Sequence, residues 1–473
     1  MPLILGANSV SGYTVKNSLR FNSGSTDYLN RTNGTPTGTT KYTFSTWLKI
    51  SKLSSRGQFF RVINPSSTAT YAFLETDGSN FFGFTDYNGT SSLAFTTTAV
   101  FRDVSAWYHL VLAVDTTQAT STNRWKFYVN GVEVTSFAST SYGTQNQTIM
   151  ATSSGKDANI GGDPVGAGAT RKFDGYMSDV FFIDGQTLTP SSFGETDTLS
   201  GIWIPKAYTG TYGTNGFYLQ FKNSASLGTD SSGNGNTFTV NNLTSIDQTT
   251  YTPTNNFATL NPLSQGVTAT SRSYTNGNLS ITYNSGDDSS LSTIGVSTGK
   301  WYAEFKVTAI PTTAIVGVGN ESSNLVNDAG NCNIGSSTGE YGYYSNGNKR
   351  NNGATATSYG NTYTTNDIIG VALDLNNGAI WFSKNGTWQN SATQGQIEAG
   401  TTTNASATGL SGTFFFGTAN GASGTTGVAF DNNFGSPPYS ANSYTDGAGY
   451  GNFSYAVPSG YYALCTKNLA NFG

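Results

Sequence analysis

Charge is what this chain has least of. Of its 473 residues only 23 are Lys or Arg and 27 are Asp or Glu, a charged fraction of 11 %, where soluble proteins average about 25 %. The net charge of −4 leaves no cationic surplus to neutralise phosphates, so nucleic acid is not an expected partner. The same shortage excludes a long coiled coil, whose helices draw about half their residues from Ala, Glu, Lys, Leu and Arg. Long apolar runs are missing too, and a spanning helix needs about 20 such residues, so no membrane insertion is expected. A single histidine, His109, rules out a zinc site made of several imidazoles. Cys332 and Cys465, the two cysteines, lie 133 positions apart. So few cannot hold together a disulfide-dependent scaffold, and both are expected as buried unpaired thiols, with one bridge as the alternative. Residues 1–9 lack the basic region and apolar core of a secretion signal, so folding in a reducing cytosol is expected.

What is present instead is Gly, Ser, Thr and Asn, together with 29 Phe, 27 Tyr and 7 Trp. So many rings exclude intrinsic disorder. Apolar residues recur with a period of two. In residues 42–50, Tyr42, Phe44, Thr46, Leu48 and Ile50 share one face, and 109–115 and 125–129 continue the pattern. Asn130-Gly131 then separates 125–129 from Val132, Glu133 and Val134, a strong hairpin signal because both turn residues tolerate φ > 0. The second half repeats this grammar in 301–307, 315–319 and 368–375, with turns at Asn377-Gly378 and Asn385-Gly386 flanking 379–384. Alternating strands joined by tight turns predict an all-β protein of two antiparallel β-sandwich modules in tandem. Between them, 228–265 is rich in turn formers but carries Phe238, Val240, Leu243, Phe257 and Leu260. It is expected to be an ordered connector between modules at 21–227 and 266–473, with 1–20 as an N-terminal attachment segment.

Ser18-Leu19-Arg20-Phe21-Asn22, Asp27-Tyr28-Leu29-Asn30, Phe44 to Lys49, Trp107-Tyr108-His109-Leu110, Tyr128 to Val132 and the closing stretch 173–182 together resemble the laminin-G-like branch of the concanavalin A-like lectin/glucanase superfamily. That resemblance implies a jelly roll. Gly299-Lys300-Trp301-Tyr302-Ala303-Glu304, Val316 to Gly319, Asn366 to Asp374 and Ile380 to Gly386 resemble a SPRY domain, a relative of the same sandwich. Joined through 230–236 and 253–262, the pair is similar to virion-associated proteins of bacteriophages. The resemblance implies a virion location after synthesis in the host bacterial cytoplasm, other virion proteins as partners, and a homo-oligomer in the particle.

Because that superfamily includes glycoside hydrolases, catalysis has to be weighed. Its paired carboxylates come from a Glu-x-Asp-x-x-Glu strand, in which alternate residues share a face. No such string occurs, and Glu133 and Glu304 read as outward-facing strand residues. His109 reads as a packed strand residue, and the glycine-rich 161–168 as a loop, since no Gly-Lys-Ser/Thr ending follows it. No enzyme activity and no cofactor are expected. The laminin-G resemblance leaves Ca²⁺ open at Asp86, Asp157 and Asp163, the oxygen ligands that ion requires.

Rings that stack on sugars and amides that bond their hydroxyls remain as the binding chemistry. The candidate residues are Asp86, Tyr87 and Asn88 in one loop, and Tyr341, Tyr343, Tyr344, Asn346 and Arg350 in another, with Trp388 as a neighbour of the second. The expected function is a non-catalytic tail-fibre or receptor-binding adhesin for host-surface polysaccharide. Capsid decoration or a structural role in a tail is the alternative, with polysaccharide depolymerase as a weaker one.

Overall fold

The computed structural model describes residues 12–162, 171–264, 272–284, 287–321, 323, 333–421 and 427–473. Strands make up 42 % of the described residues and helix 6 %, so the fold is all-β. Contacts divide it into two compact units, Ser9–Thr254 and Asn255–Gly473.

The first unit is built on Lys41–Ile50, whose alternation puts Tyr42, Phe44, Leu48 and Ile50 into the core. In spatial order its first sheet runs Val132–Glu133, Trp125–Val129, Tyr108–Asp115, Lys41–Ile50, Gly175–Asp184, Ser18–Phe21 and Gln248–Thr249, with Phe217–Leu219 also on Gly175–Asp184. The second runs Phe137–Tyr142, Ser92–Thr97, Phe82–Tyr87, Ser67–Thr76, Gly57–Asn64, Asp157–Ile160, Tyr28–Thr32 and Thr239–Asn241. Their facing sides share Phe44, Phe60, Phe84, Phe95 and Phe182, each contributing about 1.5–3 kcal/mol when fully buried. The first sheet's outer face is covered as well. After Gly175–Asp184 the chain returns across it, and Phe193, Tyr208 and Tyr212 close over Val111, Phe181 and Ile183.

The stretch read as a connector, 228–265, is divided between the units. Thr239–Asn241 pairs with Tyr28–Thr32, and Gln248–Thr249 with Ser18–Phe21, so 228–254 completes both sheets of the first unit. Likewise Ser18–Phe21 is an inner strand rather than part of an attachment arm, because Leu19 and Phe21 belong to the core. Residues 1–11 of the predicted arm lie outside the described residues.

The second unit repeats the plan. Its larger sheet runs Arg272–Thr275, Ser280–Tyr283, Val428–Asn433, Lys300–Ala309, Ile368–Asp374, Ala379–Lys384 and Thr387–Trp388. Ala407–Thr408 pairs with Ala379–Lys384, and Tyr462–Ala463 lies parallel to Lys300–Ala309. The smaller sheet runs Asp288–Leu291, Phe414–Asn420, Ala314–Asn320, Glu340–Tyr344, Asn348–Asn351 and Thr357–Ser358. Trp301, Ala303, Phe305 and Val307 face the core between them. Their alternates Tyr302, Glu304 and Lys306 therefore face outward, where the returning segment 434–465 crosses. Cys465 is a free, buried thiol that burial pushes up to about 12; Cys332 lies outside the described residues.

Candidate ligand-binding cleft

The residues predicted from sequence fall in both units, Asp86, Tyr87 and Asn88 in the first and the remainder in the second. Asp86 is not a loop ligand. It shares its side of Phe82–Tyr87 with the core residue Phe84, and its carboxylate accepts the backbone N–H groups of Met150 (2.8 Å) and Ala151 (3.0 Å). Burial pushes its carboxyl up to about 7. Tyr87 donates to the Gly89 carbonyl, and Asn88 builds the turn by accepting from the N–H groups of Thr90 and Ser91. The predicted 340–350 loop is a β-hairpin. Tyr341 and Tyr343 pack in the main core, while Tyr344, on the opposite face, packs with Ile315 and Ile334. Both faces of that strand are covered, so its tyrosines are structural. Asn346 caps the turn, Arg350 donates to the Ala354 carbonyl, and Trp388 borders a cleft.

That cleft, of about 330 Å³, lies on the outer face of the second unit's larger sheet. Its floor is Tyr302 and Ser383, from Lys300–Ala309 and Ala379–Lys384, and Trp388 stands beside Ser383 as its cross-strand partner. Gln394 borders one side, at the start of the short helix Gln394–Glu398. The opposite wall is the returning segment, which contributes Asn442, Tyr444, Ser454 and Tyr455. Tyr444 is 47 % exposed, so its ring is available to a ligand. Gly386, at φ +79, ends the Asn-Gly turn and seats the Tyr455 ring; a Cβ there would lie 2.6 Å from that ring. Asn442 is fixed by donating to the Ser454 carbonyl at 2.7 Å.

One buried carboxylate ties this wall to the floor. Glu304 accepts from the backbone N–H groups of Ser454 (2.8 Å) and Tyr455 (2.9 Å), from the Tyr302 hydroxyl (3.1 Å) and from Asn433 Nδ2 (3.3 Å). Its outward direction agrees with the sequence pattern, but the returning segment covers it completely. Burial raises its pKa and the four donors work against that rise. Sequence periodicity could identify Tyr302 and Glu304 as outward. The signal missed was that Tyr444 and Tyr455 fall in 439–461, a stretch with five tyrosines and little alternation, which had to pack somewhere.

Chemistry elsewhere is restrained. Trp203 Nε1–H donates to His109 Nδ1 at 2.9 Å, so the ring's proton sits on Nε2 and is donated to Ser45 Oγ, also at 2.9 Å. In that tautomer the imidazole cannot take the serine's proton, and burial holds its pKa down at about 3. Of the residues left open for Ca²⁺, Asp86 and Asp157 are described. Both Asp86 oxygens are occupied by N–H donors and Asp157 accepts from Thr32 Oγ1. Asp163 and most of the 161–168 loop lie outside the described residues. No group of three or more acidic, His or Cys side chains is gathered among the described residues.

Comparison with known proteins agrees with this architecture. Residues 23–192 match the family described as the concanavalin A-like lectin/glucanases superfamily, and residues 300–429 match the SPRY domain family. Among solved structures, the SPRY domain of human HERC1 is 18 % identical, covering 37 % of this chain and 96 % of its own, at TM-score 0.28. A heptameric SAP-like pentraxin from Limulus polyphemus is 13 % identical over 41 % of this chain and 94 % of its own, at 0.30. The LG4-5 domains of the mouse laminin alpha1 chain are 11 % identical over 90 % of each chain, at 0.32. No curated protein sequence matches. The chain thus carries a concanavalin A-like domain and a SPRY domain, both of binding-type fold.

Proposed function

We propose that this chain, a concanavalin A-like domain followed by a SPRY domain, is a non-catalytic lectin-like protein that holds a saccharide in the cleft of its second unit. We further propose that it works in a bacteriophage virion as a tail-fibre or receptor-binding adhesin for host-surface polysaccharide. The observation that carries the binding reading is the lining of the cleft. Trp388, Tyr444 and Tyr455 offer ring faces, Tyr302 and Ser383 hydroxyls, and Asn442 and Gln394 amides, with no charged side chain among them. Rings cover the apolar faces of a pyranose while amides and hydroxyls bond its rim. The volume is at the low end of small-molecule sites, about 300–1,000 Å³, which suits a terminal sugar more than a long chain. The virion role rests on the sequence resemblance of the paired modules.

A weak site suffices in such a role, because several copies on one particle raise avidity by about 10²–10⁴. The test is a glycan array probed with the full chain and with Trp388→Ala. Wild type should bind a restricted set of saccharides and the variant should lose at least about tenfold in affinity. Equal binding by both overturns the cleft as the site. Mass spectrometry of purified particles tests the virion role, and absence of the chain from them refutes it.

A further inference from the structure

The cleft's lining is uncharged, yet the charge beneath it is of one sign. Three of its lining residues, Tyr302, Ser454 and Tyr455, are bonded directly to the Glu304 carboxylate. All four groups around that carboxylate are donors. The two bonds to Oε2 come from N–H groups, which cannot accept a proton, and a proton on Oε1 would force the Tyr302 hydroxyl to turn its own away, so only the ionised form keeps all four bonds. No compensating cation lines the cleft. Lys384 is the residue after Ser383, but strand alternation sends it to the other face, where it donates to the Thr362 carbonyl and pairs with Asp367 at 3.1 Å. Lys306, the next outward-facing residue after Glu304 on Lys300–Ala309, holds its ammonium 5.2 Å from the centre of the Tyr439 ring and stands opposite Asp431 in the strand register.

We infer that the cleft accepts neutral saccharides and discriminates against acidic ones, with Glu304 as the residue that sets this preference. The inference rests on the cleft being a saccharide site. A uronate, sialate or sulfate bound there places a second negative charge one hydrogen-bonded layer above the first, with no cationic side chain in the lining to contact it. At an effective dielectric of about 20, two like charges closer than about 12 Å cost roughly a factor of ten in affinity. Glu304 is a positioning residue too, since it fixes Ser454 and Tyr455. Its two roles separate experimentally, because loss of position weakens every ligand whereas loss of charge changes the ratio between acidic and neutral ones.

The experiment is an array of uronic-acid and sialic-acid oligosaccharides, each printed beside its methyl ester, together with neutral oligosaccharides, probed with the full chain and with Glu304→Gln. Wild type should bind neutral sugars or esters at least about tenfold more tightly than the matching acids, and Glu304→Gln should narrow that ratio several-fold. Acids bound as well as esters, or a ratio untouched by the variant, overturns the inference while leaving the saccharide reading in place. Binding to nothing on the array overturns both. Should Glu304→Gln fail to fold, wild type alone decides. Its binding to the acids should strengthen between about 0.05 and 0.5 M salt as repulsion is screened while ester binding stays constant, and acid binding that is insensitive to salt counts against the inference.

Discussion

The two units build the same corner and use it differently. In each, an Asn-Gly hairpin ends the sheet edge, and the Asn bonds twice to the neighbouring strand. Asn130 donates its N–H to the His109 carbonyl and accepts the His109 N–H on Oδ1, both at 2.8 Å. Asn385 does the same with Ile368, again at 2.8 Å for each bond. In each, the chain then returns over the outer face and lays a ring on the hairpin glycine: Trp203 on Gly131, Tyr455 on Gly386. There the likeness ends. Trp203 stacks on His109, which stacks on Trp47, with centroids 5.9 and 4.8 Å apart, and the corner is packed shut. Tyr455 leaves the space before it open. One scaffold can therefore use its outer sheet face for packing or leave an open cleft on it, and the returning segment decides which.

The sharpest way to break this comparison is to remove the two equivalent rings. Trp203→Ala deletes a ring packed between Gly131 and His109 and leaves a buried imidazole nitrogen unpaired, so the first unit should lose about 3 kcal/mol in denaturant unfolding. Tyr455→Ala should cost the second unit only about 1 kcal/mol but at least about tenfold in saccharide affinity. Equal stability losses would mean that the two corners do not differ in kind.

A somewhat smaller effect separates the corners by pH. His109 titrates at about 3 in the folded chain, below its ordinary 6.5. Because the folded value is lowered, the contribution of the neutral ring is complete above pH 6.5 and drains away as pH falls toward 3. Between pH 6.5 and 4.5 that amounts to about 2–3 kcal/mol. Asp86 opposes it: its carboxyl is raised to about 7, so its contribution is greatest below its unfolded value and is lost as pH rises through 7. The His109 share is isolated by comparing wild type with His109→Gln. The stability gap between them should shrink by that amount on acidification, in the transition that Trp203→Ala shifts. A constant gap would show that the ring is not held neutral by burial.

The smallest effect tests what the units share. Asn130→Ala and Asn385→Ala each remove one bond to the adjacent strand and force alanine to φ near +50, so each should cost about 1–2 kcal/mol in its own unit. Unequal costs would show that the matched geometry hides different packing.

Much of this plan was legible from alternation. The strands read at 42–50, 125–129, 301–307 and 379–384 appear as Lys41–Ile50, Trp125–Val129, Lys300–Ala309 and Ala379–Lys384, within one or two residues. Both hairpin turns at Asn130 and Asn385 are where the dipeptide places them, since only residues tolerant of positive φ fit there. The site was mostly not legible. Period two tells which side chains leave a strand together, but not whether the outer side meets water or another segment. Tyr344 and Glu304 both point away from the central core and both are buried, under Ile334 and under Ser454. Asp86 misled for the complementary reason: it lies on the core side, where polar residues are rare, and is paired there with backbone N–H groups 64 and 65 positions away.

The bonds from Glu304 to Ser454 and Tyr455 join positions 150 and 151 apart in the sequence. Closing so long a loop costs chain entropy that these bonds must offset. The cleft therefore exists only while the two ends of that span stay joined. A proteolytic nick in that span that frees the returning segment removes the cleft's wall at once, so loss of the proposed saccharide binding should report such damage while the sheets of the unit still stand.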